Sequence, residues 1–185
     1  MCGRYVIFTS EEYKEMAAIL KEIEKHYKTG FGVLRTGEVF PSHMVPAVRM
    51  SRSSPVYSLM QWGIPLHQSR RLINARGETL AEKPVFSRLL PGGRCLLPAN
   101  GFYEWKEKVK YLIQPEEMDT FYFAGLSDRD DRFVIITADA SEQMRPIHDR
   151  MPVILNKTAG RAWLEKTDTS LLVPYPGILS IKKAG

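Results

Sequence analysis

The sequence has few cysteines, few histidines and no long apolar run. It contains two cysteines, Cys2 and Cys95, and four histidines scattered along 185 residues. Two cysteines cannot provide the disulfide framework of a small secreted domain, and no cysteine–histidine spacing matches a structural zinc site. Cys95 precedes two leucines, which is typical of an inert buried thiol. We therefore expect no disulfide, no metal ion and no cofactor.

The chain also lacks a membrane segment. No stretch is long and apolar enough to span a bilayer, and the N-terminus lacks the apolar core of a signal peptide. The shares of hydrophobic residues (44%) and charged residues (25%) are ordinary for a globular protein. We expect a single domain over residues 1–185, located in the cytoplasm as a monomer. A net charge of +5 is compatible with a polyanionic partner but does not by itself indicate one.

Local patterns predict a mixture of strands and short helices. Cys2–Phe8 predicts a buried strand, and Thr9 with Glu12 predicts a capping box for a helix that ends near Gly30. Alternating lysines at 106, 108 and 110 predict the solvent face of a hairpin. Further strands are predicted at Val45–Met50, Val56–Trp62, Tyr111–Ile113, Thr120–Leu126, Phe133–Thr137 and Val153–Leu155. Further short helices are predicted at Val85–Leu90 and Thr158–Glu165, and one or two helical turns at Ala138–Met144.

The first residues carry the most reactive chemistry in the sequence. If Met1 is removed, Cys2 becomes the N-terminus and presents an α-amine and a thiol on adjacent carbons. An α-amine has a pKa of about 7.7–8.0, so a useful fraction is neutral and nucleophilic at physiological pH. The amine can condense with an aldehyde, and the thiol can then close onto the imine as a five-membered ring. The same residues are also compatible with a small apolar start of a strand.

Three later segments hold polar side chains that could take part in chemistry. Asn74–Thr79 places an amide, a guanidinium and a carboxylate close together, and Glu104 interrupts an aromatic run where burial would suit it to proton transfer. His148 is followed by a carboxylate and an arginine. Each also has a structural interpretation: a connecting loop, an ion-paired carboxylate and a loop histidine.

Six motifs occur in a fixed order along almost the whole chain. They are Met1–Arg4 (MCGR), Trp62–Pro65 (WGIP), Asn74–Thr79 (NARGET), Arg94–Trp105 (RCLLPANGFYEW), Ala124–Leu126 (AGL) and Ile147–Pro152 (IHDRMP). Any one of them is weak, but the ordered set is specific and resembles the SRAP family. That family is named for SOS-response-associated peptidases and is described as sensing abasic sites in single-stranded DNA. Two positions depart from its pattern: Val39-Phe40 replaces the usual Tyr-Asn, and His67 lies where a further Trp is often found.

The resemblance implies a fold and a reaction. The fold is α+β, with a strongly bent, partly barrel-like and mainly antiparallel β-sheet flanked by short helices. In the reaction, the Cys2 amine would form an imine with the aldehyde of an abasic site in single-stranded DNA, and the thiol would close a thiazolidine. The resulting covalent DNA–protein crosslink would shield the lesion. The family name also implies a peptidase activity, which could remove the residue that precedes Cys2.

The resemblance also implies the residues of the site. Its catalytic residues would be Cys2, Asn74, Glu104 and His148, and its DNA-binding residues Arg4, Pro41, Arg76 and Trp105. Asn74 would orient Cys2, Glu104 would transfer protons during imine formation, and His148 would act as general acid or base in sugar ring opening and crosslink reversal. The two arginines would bind phosphates that flank the lesion, while Pro41 and Trp105 would present flat apolar faces to neighbouring bases.

Two other functions fit some of these residues. In a cysteine-type peptidase, the Cys2 thiol would attack with His148 as base and Asn74 as orienting group, and no free amine would be needed. In a non-catalytic module that binds single-stranded DNA, Arg4, Arg76 and Trp105 would matter while Cys2 would not.

Overall fold

The computed structural model describes residues 2–27, 34–66 and 70–184. The predictions that concern Met1, the helix end at Gly30 and the motif departure at His67 lie outside these residues. Within them, no helix is both long and apolar enough to cross a membrane.

Strands dominate the described chain. The strands are β1 Tyr5–Ile7, β2 Gly37–Val39, β3 Met44–Ser51, β4 Ser54–Trp62, β5 Ile64–Pro65, β6 Arg71–Leu72, β7 Asn74–Arg76, β8 Arg94–Ala99, β9 Gly101–Lys106, β10 Val109–Pro115, β11 Phe121–Ser127, β12 Arg132–Asp139, β13 Arg150–Pro152, β14 Ile154–Leu155 and β15 Leu179–Lys183. The α-helices are α1 Lys14–His26, α2 Pro84–Ser87 and α3 Lys157–Glu165, with short 3-10 helices at Gly77–Thr79 and Thr169–Leu171.

Strand pairing produces two large sheets and one small one. The first has five antiparallel strands in the order β15-β10-β9-β1-β2. The second follows the order β13-β12-β4-β3-β8-β11-β14, and the additional pair β11–β12 closes five of its strands into a ring. Strands β5 and β6 form a separate pair. The expected α+β fold, with a bent, partly barrel-like and mainly antiparallel sheet beside short helices, is confirmed.

Strand β12 closes the ring and fixes one part of the site. Its residue Phe133 pairs with β11 on one edge and with Trp62 of β4 on the other. Strand β4 stops pairing with β12 after Trp62, at Gly63, whose φ of 107° lies in the region that favours glycine. Strand β7 takes up the same edge in parallel, with Asn74 opposite Ile135.

Two buried clusters lie on the two faces of the ring sheet. Successive residues of a strand point to opposite faces, so Phe133 and Ile135 belong to one cluster and Val134 and Ile136 to the other. The cluster with Phe133 includes residues of β1 and β9 and contains Cys2. The other cluster includes residues of α1 and α3. Cys2 therefore lies in the core shared by the two large sheets.

Asn100 and Gly101 of the long motif have structural tasks. The Asn100 side chain accepts a 2.8 Å hydrogen bond from Phe8 N and donates a 2.7 Å bond to Asp119 O. A Cβ on Gly101 would lie 2.8 Å from Leu112 Cδ1, so a larger residue would force the Leu112 side chain to shift. These two residues connect β8 to β9 and fasten the sheet that carries Glu104.

The predicted capping box at the start of α1 is wrong. The helix begins at Lys14, and its N-cap Tyr13 makes no side-chain capping bond. Thr9 and Glu12 lie outside the helix because Tyr13 N bonds to Ser10 O at 3.0 Å and closes a turn there. Contact between the Phe8 and Tyr13 rings, with centroids 5.1 Å apart, accompanies this turn.

The other predicted helices have mixed outcomes. The helix predicted at Thr158–Glu165 is confirmed as α3, where Asn156 caps Ala159 N at 2.9 Å. The one or two helical turns predicted at Ala138–Met144 begin later in the chain than predicted, where Arg145 N bonds to Ser141 O at 3.0 Å. Ala138 belongs to β12, and isolated turns such as Met144 N to Ser141 O follow it.

Candidate active site and nucleic-acid surface

Cys2 is held by the side chain of Asn74. Asn74 Nδ2 donates a 2.8 Å hydrogen bond to the carbonyl oxygen of Cys2. The Cys2 side chain is fully buried, and its Sγ lies 3.8 Å from the carbonyl oxygen of Arg4. Asn74 Oδ1 is buried and accepts no hydrogen bond from the described residues. The amide therefore fixes the backbone of Cys2 and keeps one acceptor available in the same place.

The Cys2 thiol is protonated in this environment. Burial raises its pKa most, and the negative charge of Glu104 raises this pKa further. A cysteine that attacks as a thiolate needs the opposite arrangement, in which a nearby cation lowers the thiol pKa. This environment favours chemistry that starts at another atom and uses the sulfur as a thiol.

Strand pairing brings Glu104 towards Cys2. Strands β1 and β9 are antiparallel, and Tyr103 N donates a 2.9 Å hydrogen bond to Arg4 O. In an antiparallel pair, one residue before Arg4 faces one residue after Tyr103. The same register therefore places Glu104 beside the segment that contains Cys2. The Glu104 side chain is buried, with 4% of its surface exposed, so it is more deeply buried than the half-buried position expected from the sequence.

His148 lies at the end of the turn that follows β12. Its backbone nitrogen donates a 3.0 Å hydrogen bond to the carbonyl of Met144, which is buried in the same cluster as Cys2. Nδ1 of the ring lies 3.0 Å from Arg150 N and 2.8 Å from Asp149 Oδ1. A single nitrogen cannot accept from Arg150 and donate to Asp149 at the same time. Nδ1 therefore either accepts from Arg150 N or donates to Asp149, depending on which ring nitrogen carries the proton.

Arg150 joins two of the motifs through ion pairs. Its guanidinium donates to both carboxylate oxygens of Glu78 at 2.8 and 2.9 Å, to Asp139, and to the Thr137 carbonyl at 2.8 Å. Glu78 follows Asn74 in one motif, and Arg150 follows His148 in another. This bidentate pair therefore holds together the two segments that carry Asn74 and His148.

Replacing Arg150 with methionine should lower the free energy of unfolding by about 2 kcal/mol. Arg150 is buried, but Glu78 and Asp139 are 46% and 76% exposed, so the loss should be smaller than the ~3–5 kcal/mol typical of fully buried pairs. The hydrogen bond from Arg150 lowers the pKa of Glu78. This contribution is therefore complete above the ordinary glutamate pKa and is lost as the pH falls through the folded value.

Urea melts of both proteins at about pH 7 and about pH 3 measure this effect. The difference between wild type and Arg150→Met should shrink at the acidic pH. Arg161→Met, which breaks an exposed pair with Glu165, is the control and should cost less than about 0.5 kcal/mol. An equal loss for Arg150→Met at both pH values would contradict the ion-pair explanation.

A surface of aromatic and basic side chains adjoins the Cys2 segment. The Arg4 guanidinium carbon lies 4.2 Å from the centre of the Phe40 ring and 5.0 Å from that of Trp105. Arg4 Nη1 also donates a 2.9 Å hydrogen bond to Glu38. We define the aromatic-basic surface as Arg4, Glu38, Phe40, Tyr103, Trp105 and Lys110.

The prediction that Lys110 lies on a solvent face is wrong. On β10, Lys110 is opposite Trp105 of β9, and this register directs it towards Glu38. Its Nζ lies 2.7 and 2.8 Å from the two Glu38 carboxylate oxygens and 4.0 Å from the centre of the Tyr103 ring. The other two lysines of the alternating pattern are exposed, as predicted.

Arg76 and Pro41 lie at the surface on elements next to these groups. Arg76 follows Asn74 by two residues on β7, leaves the strand on the same face and is exposed. Pro41 is half-exposed in the turn that follows Phe40. That turn is fixed because Ser42 N donates a 2.7 Å hydrogen bond to the carbonyl of Trp62.

The predicted residues thus fall into groups. Cys2, Asn74 and Glu104 form a buried group, and Arg4 and Trp105 meet on the adjoining surface. The sequence indicates no role for Glu38, and its alternating lysine pattern predicts Lys110 on a solvent face. Within the described ranges, no group of three or more His, Cys, Asp or Glu side chains could hold a metal ion.

Comparisons with known proteins point to one family. The sequence profile of "SOS response associated peptidase (SRAP)" matches residues 1–180. The abasic site processing protein YobE of Bacillus subtilis is 33% identical, over 95% of this chain and 90% of its own length. The abasic site processing protein YedK of Escherichia coli is 33% identical, over 90% of this chain and 80% of its own. A crystal structure of a Bacteroides thetaiotaomicron protein shares the fold, with a TM-score of 0.79 at 22% identity over 98% of this chain and 91% of its own.

Proposed function

The chain belongs to the SRAP family, and from that premise we propose that it processes abasic sites in single-stranded DNA by covalent attachment through Cys2. The names of its relatives suggest the lesion, and the residues around Cys2 suggest the chemistry. The observation on which the proposal mainly depends is the buried group in which Asn74 holds Cys2 beside the charge of Glu104.

The proposed reaction begins at the amine and ends at the sulfur. After Met1 is removed, the α-amine of Cys2 adds to the aldehyde carbon of the ring-opened deoxyribose, and loss of water gives an imine. The thiol then adds to the imine carbon. Its proton passes by way of Glu104 to the nitrogen, and the new S–C bond closes a thiazolidine. One water molecule leaves overall, and no electrons are gained or lost.

Asn74 suits the role of orienting Cys2. Its Nδ2 already fixes the Cys2 carbonyl at 2.8 Å, while its buried Oδ1 accepts no hydrogen bond from the described residues. A buried acceptor without a donor is costly, and the free amine of a processed Cys2 is a suitable donor. Such a bond would aim the nitrogen lone pair away from Asn74 and towards the incoming aldehyde.

Glu104 and His148 suit proton transfer. Imine formation needs a base for the attacking amine and an acid for the departing water. Glu104 acts electrostatically on the Cys2 thiol and is well placed to accept its proton during ring closure. His148 would donate the proton to the departing water, since its backbone is hydrogen-bonded to Met144, which belongs to the cluster that contains Cys2.

The surface residues suit a single strand. Arg4 and Arg76 would bind phosphates on either side of the lesion, and Trp105 and Pro41 would stack against neighbouring bases. This assignment requires a partner with a regular array of negative charges and flat faces, which single-stranded DNA provides.

A cysteine-type peptidase is the alternative that the family name suggests. The raised pKa of the Cys2 thiol argues against a thiolate nucleophile acting on other proteins. Removal of Met1 is still required by the proposal, through either the chain's own activity or an aminopeptidase. Purified protein that retains Met1, incubated alone and followed by intact mass, distinguishes these routes.

Intact-mass measurement tests the proposed function directly. Protein with a confirmed N-terminal cysteine, incubated with a single-stranded oligonucleotide containing one abasic site, should give an adduct equal to both masses minus one water. The adduct should survive heat and denaturant because ring closure by the thiol removes the imine bond that water would otherwise hydrolyse. The same oligonucleotide without the lesion is the control. Absence of any adduct from fully processed protein would overturn the proposal.

A further inference from the structure

Glu38 places a negative charge at the centre of a surface that otherwise suits DNA. Its carboxylate accepts a 2.9 Å hydrogen bond from Arg4 and bonds of 2.7 and 2.8 Å from Lys110. Glu38 is on β2, directly opposite Val6 of β1, so strand pairing fixes its position beside the Cys2 segment. The three charged side chains are only partly exposed, between 22% and 30%.

The two cations are already in position for an anion. Arg4 lies between the rings of Phe40 and Trp105, at 4.2 and 5.0 Å. Lys110 lies 4.0 Å from the Tyr103 ring and 5.9 Å from that of Trp105. Aromatic faces favour cations at these distances and limit their movement. A carboxylate and a phosphate both offer paired anionic oxygens to such donors, so the Glu38 carboxylate marks a position that a phosphate could take.

Glu38 is ionised in this setting. Partial burial would raise its pKa, but the hydrogen bonds from Lys110 and Arg4 outweigh that effect and hold the pKa below its ordinary value. The cluster of Arg4, Lys110 and Glu38 therefore carries one net positive charge at neutral pH. A phosphate that approaches it must displace the carboxylate or share the two cations with it.

We propose that Arg4 and Lys110 form a phosphate subsite for the DNA strand and that Glu38 occupies this subsite in the unbound protein. This inference rests on the proposed function and extends it. Each phosphate contact made here replaces an existing ion pair, so undamaged single strands gain little and dissociate readily. The covalent bond at Cys2, rather than electrostatic affinity, then determines which strands are retained.

Glu38→Gln should tighten binding to undamaged single-stranded DNA by about 3- to 10-fold at low salt, because one or two partly exposed ion pairs no longer compete. The dependence of log affinity on log salt should steepen by about 0.7 for each additional phosphate contact.

Lys110→Met should weaken binding, because Glu38 then neutralises Arg4 alone. In the double variant Glu38→Gln/Lys110→Met, the gain from Glu38→Gln should shrink, since one cation of the subsite is missing. Fluorescence anisotropy with a labelled, lesion-free oligonucleotide at several salt concentrations measures all four proteins.

Glu24→Gln is the matched control, because Glu24 is exposed on α1 and its substitution changes the net charge by the same amount. If Glu38→Gln tightens binding no more than Glu24→Gln, with both proteins melting like the wild type, the subsite is overturned. Crosslinking of the same proteins to an abasic oligonucleotide separates this failure from failure of the proposed function. Tighter binding by Glu38→Gln without any crosslink would reject Cys2 chemistry and keep the subsite. A crosslink together with unchanged affinity would reject the subsite and keep the Cys2 chemistry.

Discussion

Cys2→Ala protein is expected to form no heat-stable adduct with an abasic oligonucleotide, while Cys95→Ala protein forms it at the wild-type level. Cys2→Ser should also lose the stable adduct, because ring closure by a hydroxyl is weaker than closure by a thiol. Both Cys2 variants retain an α-amine after Met1 removal, so borohydride should still trap their imines. Cys95 is a suitable control because it is buried and burial raises its thiol pKa to about 12. Denaturing gels with and without borohydride distinguish the imine from the heat-stable adduct.

Blocking the amine provides the complementary test of the same chemistry. Acetylation of the N-terminus leaves the thiol intact but removes the nucleophile that the proposed reaction uses first. Both the trapped imine and the stable adduct should therefore disappear. A stable adduct formed by acetylated protein would contradict attack by the amine and favour attack by sulfur. Full activity of Cys2→Ala in protecting an abasic strand would instead support a module that only binds DNA.

Much of the fold could be predicted because local sequence patterns indicate its strands. Val56–Trp62 was predicted from its aliphatic and aromatic residues and Phe133–Thr137 from its β-branched run, and both lie within observed strands. The closure of the ring could not be predicted in this way. It depends on parallel pairing of β12 with β4, which comes from a distant part of the chain. The helical turns predicted from Ala138 begin only at Ser141, because Ala138 continues strand β12.

The candidate site also contains residues that the sequence indicates and residues that only strand pairing brings together. Cys2, Asn74 and Glu104 stand in motifs, and the structure brings them into one buried group. Glu38 and Lys110 stand in no motif, and their relation is created by the pairing of β1 with β2 and of β9 with β10. Sequence reasoning finds groups whose chemistry is unusual for their surroundings. It misses ordinary charged residues that acquire a role only from the strand opposite.

Glu104→Gln and His148→Ala are expected to slow crosslink formation or reversal by about 10²- to 10⁴-fold without changing affinity for undamaged single strands. The reaction needs proton transfer to and from the carbon that Cys2 attacks, whereas strand binding depends on the surface residues. Glu104 lies on β9 beside the Cys2 segment, and His148 lies at the end of the turn after β12. Glutamine keeps the shape of Glu104 but cannot exchange a proton at neutral pH. Its neutral side chain should also lower the pKa of the Cys2 thiol, since the charge of Glu104 contributes to raising it.

Single-turnover crosslinking beside a melting curve for each variant separates catalysis from folding. Glu107→Gln, three residues along the same hairpin and exposed, and His26→Ala, exposed on α1, are the matched controls and should react at the wild-type rate. If Glu104 and His148 only support the structure, their variants should melt at lower temperature while the folded fraction reacts normally. Normal rates in well-folded variants would remove both residues from the mechanism. Cys2 and Asn74 would then be left to carry out the reaction with solvent as the proton carrier.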